Sequence, residues 1–414
     1  MAILKGFVEK CIHDFGTPFY LYDLSEIDKR IDELTGALPS GASLMYSIKA
    51  NPFPGIIRAL VSRGLGLEVS SSGEVEAASQ FGSEWKKCLF TGPGKTRKDI
   101  ACALRHGISH FSCESWTELD RVASEAASAG VRPNVILRVN PMHRARSHIR
   151  MAGAGTHFGF PLPDLIHDYR IRMACYSGVN VIGVHMYLGS QMIDADEVIA
   201  SVKLALSISD QLSHLCGVPL KIIDVGGGFP WPFGSDTGKL LDLSRLHVGL
   251  AETIDKCGLP SEADLWFESG RYLTASSGTL VCTVLDIRSI EDKIYVVLDA
   301  GINNLGGMTG VGRALTQKLA VLPLRDCDGQ EAVEVDFMGP LCTPLDCLSR
   351  GIAVQSLSVG DRVMIPNVGA YGLTASLVSF LSRSAPFEIA HRQQQICSVS
   401  RLESGYQAVS TACS

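Results

Sequence analysis

The sequence predicts a (β/α)8 barrel followed by a mostly antiparallel β domain, and three observations lead there. First, 414 residues exceed what one ordinary core organises, so a large domain with a smaller companion is expected. Second, between about residue 40 and residue 270 short β-rich runs alternate with helical patterns. Third, after about residue 275 the runs become closely spaced and β-branched, with Gly, Pro and Asp between them.

The strand candidates of the first part are Ser43–Ile48, Gly66–Val69, Cys88–Thr91, Ser109–Ser112, Asn134–Val139, Val181–Tyr187, Lys221–Val225 and Asp264–Glu268. Between them lie helices with readable ends. Ser115-Trp116-Thr117-Glu118 has the pattern of a capping box, and Gly130 marks the stop of the helix it opens. Eight strands alternating with helices favour a closed barrel over an open doubly wound sheet. In the second part Thr279–Ile287, Lys293–Leu298 and Arg362–Ile365 read as strands, and Pro18–Tyr22 is expected to pair with them. The barrel is therefore expected over residues 30–275, and residues 1–29 with 276–414 as the β-rich domain.

Composition narrows the function classes. Hydrophobic residues make up 46% and charged residues 19%, the balance of a packed globular chain. The net charge of −6, without a Lys/Arg block, argues against a nucleic-acid surface. The 13 cysteines are an odd number with no Cys-x-x-Cys pair, which reads as reduced thiols in a cytoplasmic setting, and no metal centre is expected. The N-terminus lacks a basic segment followed by an apolar stretch, and no apolar run is long enough to span a bilayer.

Barrels of this kind carry their active sites at the C-terminal ends of the strands. The residues delivered there are Lys49, Glu68 with Ser70, Gly92, Glu114, Asn140, Tyr187 with Ser190, the run Gly226, Gly227 and Gly228, and Glu268 with Arg271. Lys49 has two readings: a surface lysine that snorkels its charge to water, or a desolvated amine suited to forming a Schiff base. The three glycines are either a tight turn or a nest of amides for one compact phosphate. Neither a dinucleotide fingerprint nor a Walker A loop is present. Glu268 would hold a pyridinium nitrogen protonated, or pair with Arg271, which is also available to a phosphate.

Six spaced motifs carry a resemblance over nearly the whole chain. They are Tyr-Ser-Ile-Lys-Ala-Asn-Pro at Lys49, Gly-Val-His-Met-Tyr-Leu-Gly-Ser-Gln at Tyr187, Val-Gly-Gly-Gly-Phe at Gly227, Glu-Ser-Gly-Arg-Tyr at Glu268, Gly-Pro-Leu-Cys-Thr-Pro-Leu-Asp at Cys342, and Gly-Ala-Tyr-Gly at Tyr371. Together they resemble the pyridoxal-phosphate decarboxylases of the alanine-racemase-like fold, the group that includes diaminopimelate and ornithine decarboxylases. The resemblance implies pyridoxal 5'-phosphate as cofactor, Lys49 as its Schiff-base lysine and Glu268 as the partner of its ring nitrogen. It matches Ser190, Gly227, Gly228, Arg271 and Tyr371 to phosphate-binding positions. It also implies that Cys342 returns a proton to the substrate carbon from the second subunit of a homodimer with shared sites.

The departures are informative. Tyr187 stands where the family usually has a histidine stacked on the cofactor ring, and Glu68 where it usually has aspartate. His185 points into the barrel by strand alternation, as a support of the substrate site or a satisfied interior histidine. Asp346 and Arg313 are expected on the substrate side. Thr343 follows Cys342 where diamine-type decarboxylases present an acidic residue to a distal ammonium. That departure, with Gly-Pro-Gly-Lys at residues 92–95, resembles two specialised branches of the family. One acts on a carrier-tethered glutamyl group in butirosin assembly, the other on citryl-diaminopropionate in siderophore assembly. The expected activity is decarboxylation of an L-amino acid whose distal end is acylated or carrier-tethered, in a secondary-metabolite or siderophore pathway. The alternatives are decarboxylation of free diaminopimelate, lysine or ornithine, a racemase on the same fold, and a non-catalytic regulatory homologue. The Cys342 motif argues against the racemase, and retention of Lys49, Cys342 and Asp346 together against the last.

Overall fold

A computed structural model describes residues 2–80, 87–142, 149–150, 156–174, 176, 178–232, 240–306, 319–325, 332–403 and 405. The chain divides into two compact units, one drawn from Ile27–Trp231 and Lys239–Leu273, the other from Met1–Glu26, Pro232–Gly238 and Thr274–Ser414.

The first unit is a closed parallel barrel. Its strands are β1 (Ser43–Ser47), β2 (Gly66–Val69), β3 (Cys88–Phe90), β4 (His110–Cys113), β5 (Asn134–Asn140), β6 (Asn180–His185), β7 (Ile222–Asp224) and β8 (Asp264–Ser269). Each pairs in parallel with the next, and β8 pairs with β1 to close the ring. The eight expected runs are these eight strands. The largest difference is at β6, which ends at His185, two residues before the expected Tyr187; after β1, Ile48–Ala50 turn into a 3-10 helix.

Because side chains alternate along a strand, every second residue enters the barrel, and neighbouring strands stack these residues in layers. Gly66, His110, Gly183 and Trp266 come from the even strands at the N-terminal end. Above them Met45, Leu89, Ile136 and Ile222 come from the odd strands and pack with Trp266 as one apolar cluster. Two residues further along the even strands stand Glu68, Ser112, His185 and Glu268, and along the odd strands Ser47, Thr91, Arg138 and Asp224. All eight are buried. The floor of the barrel is thus apolar and its upper half polar.

The helix Trp116–Ala129 ends as expected, with Gly130 in the left-handed region at φ 67°. Its start is only half of the expected capping box. Ser115 accepts the amide of Glu118, but Glu118 turns away to accept the amide of Glu114 at 2.7 Å and to pair with Lys95. The reciprocal box occurs instead at Thr96 and Asp99.

The second unit is a mostly antiparallel sheet. Phe19–Asp23 lies between Gly278–Ile290, antiparallel, and Phe387–Arg392, parallel, so the early strand does join the C-terminal region. Lys293–Leu298, Ala332–Met338, Cys347–Gln355, Arg362–Pro366 and Gln395–Arg401 extend it. The helix Ala2–Phe15, which the sequence reading passed over, packs Phe7, Val8 and Cys11 against Phe19, Leu21, Val281 and Ile389. No described cysteine is in a disulfide. Among the described residues no helix is long and apolar enough to cross a membrane.

Candidate active site

The C-terminal end of the barrel carries the chemistry. Lys49 sits in the 3-10 turn that follows β1, and its Nζ donates to Glu68 Oε1 at 2.8 Å and Oε2 at 3.0 Å. The pair is asymmetric: the Lys49 side chain is 41% exposed and that of Glu68 1%. A reagent can therefore reach the amine while its counter-charge stays dry. Burial acts to raise the Glu68 carboxyl. The Lys49 charge, with hydrogen bonds from Lys49, Ser47 and Thr91, outweighs it and holds the group below its ordinary value.

Across the barrel, Glu268 and Asp224 lie beside His185. The His185 Nδ1 is hydrogen-bonded to Ser112 Oγ at 2.8 Å, and its Nε2 stands 3.7 Å from Glu268 Oε1. Glu268 Oε1, Asp224 Oδ2 and His185 Nε2 are buried without a hydrogen-bond partner in the protein. Their nitrogen and two carboxylates fall within 4.8 Å of one another, a donor set that suits a metal ion as well as a protonated heterocycle. Burial pushes the Glu268 carboxyl well up, with the charges of Glu68 and Asp224 adding and those of Lys49 and Arg138 opposing. Burial pushes His185 well down, reinforced by Arg138, Lys49 and Lys95, so its imidazole is neutral.

The loops after β6, β7 and β8 meet at the three glycines. A Cβ on Gly227 would lie 2.2 Å from the Glu268 carbonyl oxygen. One on Gly228, at φ 102°, would lie 2.5 Å from the Gly189 carbonyl oxygen, and one on Gly226 2.6 Å from the Tyr187 ring. Only glycine permits this approach. The Gly226 amide is taken by Asp224 Oδ1 at 2.8 Å, whereas the amides of Gly227 and Gly228 donate to no described residue. Ser190 lies just beyond Tyr187, and Arg271 opens the short helix that follows β8.

Residues 24–275 match the pyridoxal-binding domain of the pyridoxal-dependent decarboxylases. This chain belongs to that family. Among its relatives are the L-glutamyl-[BtrI acyl-carrier protein] decarboxylase of Niallia circulans and the diaminopimelate decarboxylase of Pseudomonas fluorescens. The first is 32% identical over 386 residues, covering 91% of this chain and 89% of the relative. The second is 32% identical over 367 residues, covering 87% and 85%. The crystal structure of diaminopimelate decarboxylase from Helicobacter pylori complexed with L-lysine superposes with a TM-score of 0.83 at 27% identity, over 94% of this chain and 95% of that one. The protein is a pyridoxal-phosphate-dependent amino-acid decarboxylase of the alanine-racemase-like fold.

The decarboxylase's own residues fit that cofactor. The undonated Glu268 and Asp224 oxygens lack only the N–H that a protonated pyridine ring brings, and the undirected amides of Gly227 and Gly228 suit a phosphate.

The other unit holds the remaining expected residues. Cys342 is exposed and Thr343 half-buried, its Oγ1 accepting the Leu345 amide at 3.3 Å. Tyr371 is half-buried, with φ 55°. Two of the residues expected on the substrate side make contacts within the chain. Asp346 is buried, its carboxylate accepting the amides of Ile302 at 2.8 Å and Leu341 at 2.7 Å, which makes it an anchor of the Cys342 loop. His185 is buried, its Nε2 3.7 Å from Glu268 Oε1. Arg313 lies outside the described residues.

Sequence reasoning passed over two buried ion pairs. Arg138 meets Glu114 at 2.8 Å, and Lys95 meets Glu118 at 2.5 Å while also donating to the carbonyls of Gly92 and Ser112. An arginine inside the apolar run Val-Ile-Leu-Arg-Val was the available signal for the first. Nothing local marked Lys95 as buried.

Proposed function

We propose that this decarboxylase acts on an L-amino-acid moiety whose far end is a neutral amide, ester or thioester, not on a free diamino acid. One observation carries the reading: residues 339–346 offer no carboxylate to a distal ammonium. Thr343 stands next to Cys342, and Asp346, the only acidic residue of that segment, is turned inward onto two backbone amides. A desolvated ammonium without a counter-charge is costly. The name of the Niallia circulans relative, which gives a carrier-tethered glutamyl substrate, supports the same class. The similar identity to a diaminopimelate decarboxylase favours the competing reading, a free diamino acid.

In this reading Lys49 Nζ would hold the cofactor through its aldehyde, with Glu68 as the dry counter-charge of the amine. Glu268 would keep a proton at the ring nitrogen, and Tyr187 would offer an aromatic contact to the ring. Ser190, Gly227, Gly228, Arg271 and Tyr371 hold the phosphate. When bound, the cofactor supplies an electron sink for the pair released as the Cα–carboxylate bond breaks. Cys342 Sγ–H gives the proton that the substrate carbon takes up. Its exposure on its own chain suits a thiol serving a second copy in an isologous dimer.

The test is carbon dioxide release from glutamate tethered to a carrier protein or capped as its γ-amide, against free diaminopimelate, lysine and ornithine. An unpaired charge penalty of about 2 kcal/mol or more predicts at least a thirtyfold preference, roughly, for the neutral-ended substrates. Thr343→Asp should move the preference toward free diamino acids. Efficient turnover of free diaminopimelate or lysine by the unmodified enzyme overturns the reading.

A further inference from the structure

The upper half of the barrel interior holds more polar groups than the reading above employs. Asp224 is the one most in need of a reason. It is fully buried, at 0% exposure, and only its Oδ1 is engaged, by the Gly226 amide. Its Oδ2 has no donor, and neither does the neighbouring Glu268 Oε1. Strand register places Asp224 directly beside His185, and the three side chains bring their polar atoms within 4.8 Å of one another. Two carboxylates this close, away from water, do not both ionise, and they titrate as a unit.

We propose that Asp224 and Glu268 hold a proton in common in the cofactor-free protein, and that Asp224 is the positioning residue that keeps it ready for delivery to the cofactor's ring nitrogen. The inference rests on Glu268 being the partner of that nitrogen. The step balances without solvent: an O–H bond of the pair breaks, an N–H bond forms at the ring, and the cationic ring offsets the carboxylate charge released. His185 does not intercept the proton, because its Nε2 stands 3.7 Å from Glu268 Oε1, beyond hydrogen-bond reach, and burial keeps the imidazole neutral.

The charges acting on the pair are Lys49 after β1, Glu68 on β2 and Arg138 on β5; the neutral His185 of β6 lies beside it, itself facing Lys95 after β3. Lys49 is committed to Glu68, Lys95 to Glu118 and Arg138 to Glu114, so none donates to the pair. Burial accordingly pushes Asp224 up to about 7, with the Gly226 amide opposing, Glu68 adding, and Arg138 and the adjacent Glu268 carboxyl opposing.

Two measurements test the inference on the full-length protein. Infrared difference spectra, taken at neutral pH with and without pyridoxal 5'-phosphate, should show a protonated-carboxyl band in the free protein that disappears on loading. Glu268→Gln should abolish that change. In Asp224→Asn, loaded with ring-15N cofactor, the pH at which the ring nitrogen loses its proton should fall by about one unit or more. The variant's kcat should fall with little change in KM. Wild-type spectra with no carboxyl band lost overturn the proposal, as does a ring nitrogen whose titration Asp224→Asn leaves unmoved. Should Asp224→Asn fail to fold, the wild-type infrared arm decides alone. A Glu268→Gln protein whose ring nitrogen stays protonated would instead remove Glu268 from the cofactor site, a separate failure of the functional reading.

Discussion

Replacing Asp346 with alanine should destabilise the unit that carries Cys342, because the carboxylate serves two buried backbone amides. Its oxygens lie 2.8 Å from the Ile302 nitrogen and 2.7 Å from the Leu341 nitrogen, and a Cβ on either Gly301 or Gly339 would collide with it. No side chain therefore stands by to replace it from those positions. Each buried donor left unsatisfied costs roughly 1–3 kcal/mol, so the pair is worth about 2–6 kcal/mol. At roughly 2–4 °C per kcal/mol for a domain of 150–250 residues, calorimetry should find Tm lowered by about 4–24 °C. Asparagine keeps one acceptor and should lose about half as much. The charge itself is not the stabilising element. Burial raises the Asp346 carboxyl above its ordinary value, against the opposing amides of Ile302 and Leu341. A raised folded-state pKa gives stability that is complete below the unfolded value and is lost as pH rises through the folded one. Asp346→Asn should therefore gain on the wild type as pH rises. Unchanged unfolding of Asp346→Ala, with only KM raised, would refute the anchoring role and return the carboxylate to substrate.

Lys95→Met leaves Glu118 buried without its charge partner and should cost about 3–5 kcal/mol by urea unfolding, while Lys95→Met with Glu118→Leu recovers most of it. A loss under about 1 kcal/mol in the single variant would mean that water reaches the pair. His185 is pushed well below its ordinary value of 6.5, so the unfolded chain takes up a proton there that the folded one refuses. Stability should decline as pH falls below about 6.5, at up to about 1.4 kcal/mol per unit, and His185→Gln should lack that component. Equal pH slopes in the two proteins would contradict a neutral, buried His185. Lys49→Ala should lose turnover together with the borohydride-sensitive absorbance of the bound cofactor. Mixed with inactive Cys342→Ala chains it should regain activity, since a mixed dimer keeps one intact site. Proven subunit exchange without recovery would show that each site is built within one chain.

The barrel was legible from sequence because its signals are local. Strand runs such as Gly66–Val69 and Lys293–Leu298, and the Gly130 helix stop, depend on alternation and turn chemistry within a few residues. Lys49, Glu68 and Glu268 could be named because each ends a strand, and barrels gather strand ends on one face. What those ends do to one another was decided only by closure of the ring. Ser112 and His185 are 73 positions apart, yet they share a hydrogen bond that sets the imidazole beside Glu268. Asp224 looked like the end of an apolar strand, and only its register with His185 makes it half of a carboxyl pair. Ser115 with Glu118 satisfied the local rule for a capping box, but Lys95 and the Glu114 amide claimed the glutamate. Asp346 carried a family motif into a loop, where its carboxylate accepts two backbone amides. In each case a buried polar group went to the partner that best satisfied its charge or hydrogen bonds. That partner is distant in the chain, and so only tertiary structure could name it.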